Sequence, residues 1–231
     1  MTQASAPAKV ILVGEHAVVY GQPAIAVPVS DLRAYATAEP NDTGLRIVAA
    51  DLDIPVDIDA ETVDNALALT ARLVLKTLNL PPPAATLHIR SDIPIASGLG
   101  SGAAVSTALA RALLLFLHQT MNNEQLNALI YEVEKIHHGT PSGIDNTVIV
   151  YERPVYFVRE QPIETLALGA PITLLIGDTG KSASTRAAVS GVRDLYNSDP
   201  AAIQSVLDGI GHLVESSRTA LSGGDHRAIG E

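Results

Sequence analysis

Pro94-Ile-Ala-Ser-Gly-Leu-Gly-Ser-Gly-Ala-Ala-Val-Ser106 decides the fold of this 231-residue chain. Gly98, Gly100 and Gly102 crowd together, and a strongly helix-forming run, Ala103–His118, stands directly behind them. Glycine lets backbone approach a ligand closely and takes positive φ at no steric cost. A helix N-terminus offers unpaired N–H groups and the positive end of a dipole. A glycine loop feeding a helix is therefore a natural cradle for phosphate. Taken alone, the same cluster reads as a tight turn before a core helix, so its meaning rests on the rest of the chain. It is not a Walker A loop, because G-x-x-x-x-G-K-[ST] is absent. Gly98–Ala103 does fit G-x-G-x-x-A, but the next acid, Glu124, lies further on than a dinucleotide site requires.

Composition narrows the field. The chain is 47% hydrophobic with a mean hydropathy of +0.23, enough for one large core or two small ones. Aromatics make up 3%, with no Trp, so Ala, Leu, Ile and Val must fill the interior. A net charge of −10 disfavours non-specific nucleic-acid or anionic-membrane binding, while leaving room for a local basic site. The absence of Cys excludes disulfides, zinc–thiolate centres and thiol catalysis. Met1–Pro7 has no charged segment followed by an apolar one, so no signal peptide is expected. The longest apolar run, Ala103–Leu117, is too short and too polar to span a bilayer. A cytoplasmic protein is expected, with neither nucleic acid nor membrane as partner, and a homodimer is left open.

Working outward, Lys9–Val13, Ala24–Val29, Leu32–Glu39, Leu45–Ala49, Ile54–Ile58 and Thr86–Ser91 read as strands. Thr62–Leu80 and Asn123–His138 carry apolar residues at helical spacing, the second capped by Asn122 or Asn123. Val148–Tyr151 and Val155–Val158 suggest a hairpin, and Ile172–Gly177 a buried strand. Ser182–Tyr196 and Pro200–Leu221 read as helices. Arg159–Pro171 is the best boundary between two units, residues 1–165 and 166–231. A new helix is just beginning when the chain stops at Glu231, so the second unit is expected to be incomplete.

Three further segments could carry chemistry. Lys9-Val-Ile-Leu-Val-Gly-Glu-His-Ala-Val-Val-Tyr-Gly21 opens a strand with a lysine and sets Glu15-His16 just past its end. Loops at strand ends, held by a rigid sheet, are where sites usually lie. Glu134-Lys-Ile-His-His-Gly-Thr-Pro-Ser-Gly-Ile-Asp145-Asn146 holds two carboxylates a short turn apart, the first ending a helix and the second opening a strand. That pairing suits a cation ligand with a general base. His137 and His138 read better as C-terminal capping residues. Leu174–Thr185 tempts towards a P-loop, but Leu175 stands where its first glycine belongs. Lys181, Ser184 and Thr185 at that helix start suit anion binding or plain capping.

In this order, the segments resemble the GHMP kinase superfamily and its mevalonate-phosphorylating branch. Lys9–Gly21 is very close to the branch's first motif, Pro94–Ser106 is similar to the phosphate-binding second motif, and Glu134–Asn146 looks like the segment carrying a metal-binding Glu and a catalytic Asp. Thr179–Arg186 resembles a substrate-side turn. The resemblance implies an α+β fold with two domains, the first like domain 2 of ribosomal protein S5 and the second ferredoxin-like. It implies ATP and Mg²⁺ as cofactors and mevalonate as the small-molecule substrate, phosphorylated at its primary hydroxyl. Asp145 would be the general base and Lys9 its neighbour, making the hydroxyl more acidic and stabilising developing charge. Pro94, Ile95, Ala96, Ser97, Gly98, Leu99, Gly100, Ser101, Gly102 and Ala103 would wrap the ATP phosphates. Glu15, His16 and Thr179, with Lys9 and Asp145, would meet the substrate. Glu134, helped by Ser101, would hold the metal. Two departures stand out. The usual loop reads Gly-Leu-Gly-Ser-Ser-Ala-Ala, and its metal-linked second Ser is Gly102 here, a residue free to take positive φ. The family's third glycine-rich motif is also absent. The alternatives are another small-molecule GHMP kinase, for phosphomevalonate or a sugar, and a non-catalytic ligand-binding relative.

Overall fold

Small side chains set the spacing between sheet and helices. In the computed structural model, which describes residues 1–49, 56–57, 65–95, 97–138, 141–177 and 185–230, Ala6, Ala8, Ala24, Ala26, Ala34, Ala36 and Ala38 are fully buried on two long strands. These are β1 (Thr2–Val13) and β2 (Ala24–Pro40), paired antiparallel. Against them lies α2 (Ser101–Phe116), which buries Ala103, Ala104, Ala108 and Ala112. Alanine faces on both sides let helix and sheet approach closely, which is how a core with few aromatics reaches native density.

The remaining strands are β3 (Arg46–Ala49), β4 (Val56–Asp57), β5 (Ala85–Ser91), β6 (Val155–Phe157) and β7 (Glu164–Thr165). The sheet runs β4-β3-β5-β2-β6-β7, with β1 added on β2, and only the β3–β5 pair is parallel. α1 (Ala66–Leu78) starts at Asn65, whose side chain accepts from the N–H groups of Leu67 and Ala68 at 2.9 and 3.1 Å. α3 (Asn123–His138) starts with a reciprocal box: Gln125 N–H donates to Asn122 Oδ1 (2.8 Å), and Asn122 N–H donates to Gln125 Oε1 (3.1 Å). The cap predicted for α3 is therefore Asn122.

Several expected elements come out differently. The two strands expected at Ala24–Val29 and Leu32–Glu39 are one strand, β2, whose register against β1 shifts between Pro7 and Ala8. The break seen in the sequence is absorbed as a bulge, which bends a strand without ending it. The hairpin strand expected at Val148–Tyr151 is instead a helix, α4 (Ile144–Tyr151), followed directly by β6. Asp145 accordingly sits in the first turn of a helix and does not open a strand. α4 buries Ile144, Asn146, Thr147, Val148, Ile149 and Val150, so it is buried nearly all round. A continuous β-branched run cannot be told from a strand by periodicity, and tertiary burial overrides its propensity. Ile172–Gly177 has no strand structure, and Leu175 is fully exposed. A strand is stable only when paired, and among the described residues none lies alongside it. Of the strand expected at Ile54–Ile58, only Val56–Asp57 is described; Thr179, Lys181 and Ser184 lie outside the described residues.

The chain ends in α5 (Thr185–Ser198), α6 (Pro200–Gly223) and α7 (His226–Gly230). α6 starts at Asp199, with Pro200 in its first turn. Val214 and Leu221 of α6 form a second small cluster with Ile25 and Leu166. Tyr156 donates to Glu215 on α6, and Arg218 lies 4.2 Å over its ring. Burial, reinforced by Glu215, pushes the Tyr156 phenol up to about 12, so it stays protonated and donating. Among the described residues no helix is long and apolar enough to cross a membrane.

Candidate active site

The ends of β1, α2, α3, α4 and α5 enclose a cavity of about 720 Å³. Lys9, Glu15, His16, Gly98, Gly100, Ser101, Gly102, Ala103, Glu134 and Asp145 all line it, so one space gathers residues more than a hundred positions apart.

The glycine loop forms one wall. α2 is capped by Gly100 (φ 74°, ψ 31°), with no side chain bonded to its first N–H groups. A helix start left open towards a cavity is an anion site in waiting. The choice of glycine is forced. A Cβ at Gly100 would stand 2.9 Å from Lys9 Cγ and 3.0 Å from Ile149 Cδ1. The loop backbone thus lies directly on the lysine stem and on α4. Lys9 N–H also donates to the Leu99 carbonyl at 3.0 Å, tying β1 to the loop.

Lys9 is only 5% exposed, and its Nζ lies 2.9 Å from Asp145 Oδ1. The Lys–Asp pair that the resemblance implies is therefore present as a close ion pair facing the cavity. Asp145 sits one residue beyond the first turn's start, after Gly143, the left-handed N-cap of α4. Thr147 and Asn146 lock that turn: Thr147 Oγ1 donates to the Gly143 carbonyl at 2.6 Å, and Asn146 Nδ2 donates to Asn127 Oδ1 on α3 at 2.6 Å. Glu134, 3% exposed, reaches the same cavity from α3.

Glu15 and His16 sit on a strained turn. His16 has φ 63° and ψ −48°, and Ala17 N–H donates to the Glu15 carbonyl at 2.8 Å. This is a γ-turn of the rare, strained hand. Strain of this kind costs roughly 1–3 kcal/mol and clusters at functional sites. Gly14, just before it, has φ 98°, and a Cβ there would meet the Pro23 carbonyl at 2.6 Å.

Of the other predicted residues, Pro94, Ile95 and Ser97 stand off the cavity wall. Ile95 is 75% exposed, and Ser97 Oγ donates back to the Pro94 carbonyl at 2.8 Å, so this part shapes the loop. Leu99 packs into the core. Ala96 and Thr179 lie outside the described residues, as do the His137 and His138 side chains. Sequence reasoning missed Val189, Ser190 and Arg193, which α5 presents to the cavity. Their i, i+1, i+4 spacing is a helix face, but no motif marks it.

The geometry can be set beside known proteins. Residues 65–153 match the family model for the GHMP kinases N terminal domain. The chain is 37% identical to a mevalonate kinase of Thermococcus sibiricus, over 94% of this chain and 69% of that protein. It resembles the L. major mevalonate kinase solved with R-mevalonate (TM-score 0.75, 26% identity, 100% of this chain and 72% of that one). It also resembles the Streptococcus pneumoniae phosphomevalonate kinase solved with phosphomevalonate and AMPPNP (TM-score 0.81, 21% identity, 99% and 76%). Fold and sequence both define a GHMP kinase. Within that family, the chain belongs to the mevalonate kinases.

The departure at Gly102 now has a structural setting. Gly102 lies inside α2 and is not among the residues with positive φ, unlike Gly98 and Gly100. A side chain there meets no backbone penalty, and replacing a helical glycine relieves a cost of roughly 0.5–1 kcal/mol. Gly102→Ser is expected to leave the melting temperature unchanged or higher and to tighten Mg²⁺–ATP severalfold, by adding an oxygen ligand. Calorimetric titration beside a thermal melt checks both. Weaker nucleotide binding would show that the loop needs the space at residue 102.

Proposed function

We propose that the chain transfers the γ-phosphoryl group of ATP to the primary hydroxyl of mevalonate, giving 5-phosphomevalonate. The observation that carries this is the Lys9–Asp145 pair, 2.9 Å apart, in the same cavity as an uncapped helix start. Fold likeness alone does not choose the substrate, since mevalonate and phosphomevalonate kinases both match at similar TM-scores. The relatives at 33–37% identity choose mevalonate.

In this reading, the first-turn N–H groups of α2 and the Gly98–Ala103 backbone bind the triphosphate. Asp145 accepts the proton of the attacking hydroxyl, and the Lys9 ammonium beside it stabilises the charge that develops on that oxygen. Glu15 and His16, on their strained turn, orient the substrate. The donor chemistry fits magnesium: a buried carboxylate, Glu134, and the Ser101 hydroxyl are hard oxygen donors lining the same cavity, and Mg²⁺ takes one or two carboxylates together with phosphate oxygens. Bound there, Mg²⁺ would neutralise phosphate charge. Residues 1–165 are assigned to the ATP-binding domain and 166–231 to a C-terminal domain, with Val214 and Leu221 packing on Ile25 across the boundary.

Arg193 adds a role. It is a cation on the cavity wall, and among the described residues it has no ion-pair partner, whereas Lys9 is already paired with Asp145. A guanidinium with no ion-pair partner among the described residues suits the substrate carboxylate. Arg193→Ala is expected to raise the KM for mevalonate at least tenfold and to leave the KM for ATP within about twofold, an effect on the order of one charge-assisted hydrogen bond. Equal increases in both would make Arg193 a general electrostatic contributor. The function itself is tested by coupled assay of ATP turnover with mevalonate, phosphomevalonate and a panel of sugars. Turnover of another substrate in preference to mevalonate, or of none, would overturn the reading.

A further inference from the structure

The three elements that carry the reacting groups meet twice. Near the cavity they meet at Gly100, Lys9 and Ile149, tied by the Lys9 N–H bond to the Leu99 carbonyl and by the Lys9–Asp145 ion pair. At their far ends they are joined by one guanidinium. Arg111, on α2, donates from Nη1 to the Ser5 carbonyl of β1 at 2.9 Å, and from Nη2 to the Val150 carbonyl of α4 at 2.9 Å. Nη1 also pairs with Glu152, the left-handed C-cap of α4. Arg33 of β2 supports the same knot: its Nη2 lies 3.0 Å from Glu152 Oε2, and its Nε donates to Ser5 Oγ at 3.0 Å.

Each contact has a local cause. Val150 offers one of the last carbonyls of a helix, which has no partner within that helix. A cation there also meets the negative end of the helix dipole. Among the described residues β1 is bonded to β2 alone, so the Ser5 carbonyl is a fixed point on a strand with no second described neighbour in the sheet. The planar fork of arginine spreads its donors over separate nitrogens, so it bonds the Ser5 and Val150 carbonyls from different atoms, where lysine would have to reach every acceptor from a single nitrogen.

We propose that Arg111 is a positioning residue for the phosphoryl transfer proposed above: it holds the axial register of β1, α2 and α4, and thereby the Lys9–Asp145 spacing. At the cavity end α4 is tied to β1 by the Lys9–Asp145 ion pair, which ends on a flexible lysine stem able to follow a sliding helix and so does not set the helix's axial position. α4 has only eight residues, and Asp145 is at one end while Val150 and Glu152 are at the other. A shift of the pinned end is passed directly along so short a rigid helix. Arg111 itself stands roughly 15 Å along α2 from the loop, at 1.5 Å per residue, too far to touch substrate. A misplacement of about 1 Å at reacting atoms can cost on the order of 10²-fold in rate.

The test compares Arg111→Ala, Arg111→Lys and Arg33→Met in the full chain, each assayed well below its own melting temperature. Arg111→Ala is expected to lower kcat by about 10–100-fold, with both KM values within about threefold. Arg111→Lys should recover only part of the loss, and Arg33→Met, which leaves all three Arg111 contacts, should keep kcat within about twofold. Millimolar guanidinium ion should restore kcat to Arg111→Ala severalfold, while methylammonium should not. A merely structural role would lower the melting temperature without a guanidinium-dependent kcat. A folded Arg111→Ala as active as its parent overturns the proposal, and so does a loss expressed only in KM. A parent that leaves mevalonate unphosphorylated overturns the functional reading first, and this proposal with it.

Discussion

Replacement of Asp145 by Asn is expected to abolish practical turnover, lowering kcat by about 10²–10⁴-fold, the range over which a general base contributes. The amide keeps the shape of the carboxylate and its place in the first turn of α4, but it cannot take a proton. The ion pair with Lys9 Nζ at 2.9 Å is lost at the same time. That leaves an ammonium in a position that is 5% exposed, and removing one member of a buried pair is destabilising. Here the penalty is moderated, because the Asp145 side chain is 30% exposed and water reaches its end of the pair. A lower melting temperature is therefore expected, with a folded protein at assay temperature. Nucleotide affinity should stay within about threefold of the parent, since the N–H groups proposed to bind phosphate belong to α2. Rapid-quench measurement of kcat beside calorimetric titration with Mg²⁺–ATP checks both halves. Turnover within about threefold of the parent would remove Asp145 from the mechanism.

The parts of the site that were legible in the sequence are those where one residue type is physically compelled. Gly100 had to be glycine because its backbone lies on Lys9 and Ile149, and that compulsion shows as a glycine cluster. The Asn122–Gln125 box and the apolar face of α3 follow from capping and period alone. What stayed hidden depends on tertiary context. α4 reads as a strand because Val148, Ile149 and Val150 are β-branched, and only burial on all sides makes it a helix. Ile172–Gly177 reads as a strand because of its composition, but pairing is a property of neighbours. Arg193 and Arg111 belong to no motif. One matters because a helix face turns it to the cavity, the other because three elements converge on it.

Lys9 separates the binding of ATP from its reaction. Lys9→Met keeps the apolar stem that packs beneath Gly100 and removes only the charge, so the loop should hold its place. The ammonium sits on Asp145, and in the proposed reaction it would act on charge that exists fully only in the transition state. Interactions of that kind lower kcat, whereas uniform binding lowers KM. The expected loss in kcat is on the order of 10²–10³-fold, the value of one preorganised electrostatic contact. The KM for ATP is expected to change by less than about fivefold. Lys9→Arg should not rescue the activity. The Gly100 backbone lies so close that a Cβ there would stand 2.9 Å from Lys9 Cγ and 3.1 Å from its Cε, and the wider guanidinium would have to push the loop away. Steady-state kinetics of both variants with mevalonate saturating decides the matter. A Lys9→Met enzyme with the parent's kcat and a raised KM for ATP would make Lys9 a ground-state nucleotide contact. A fully active Lys9→Arg would show that charge at this position matters without the close packing of loop on lysine.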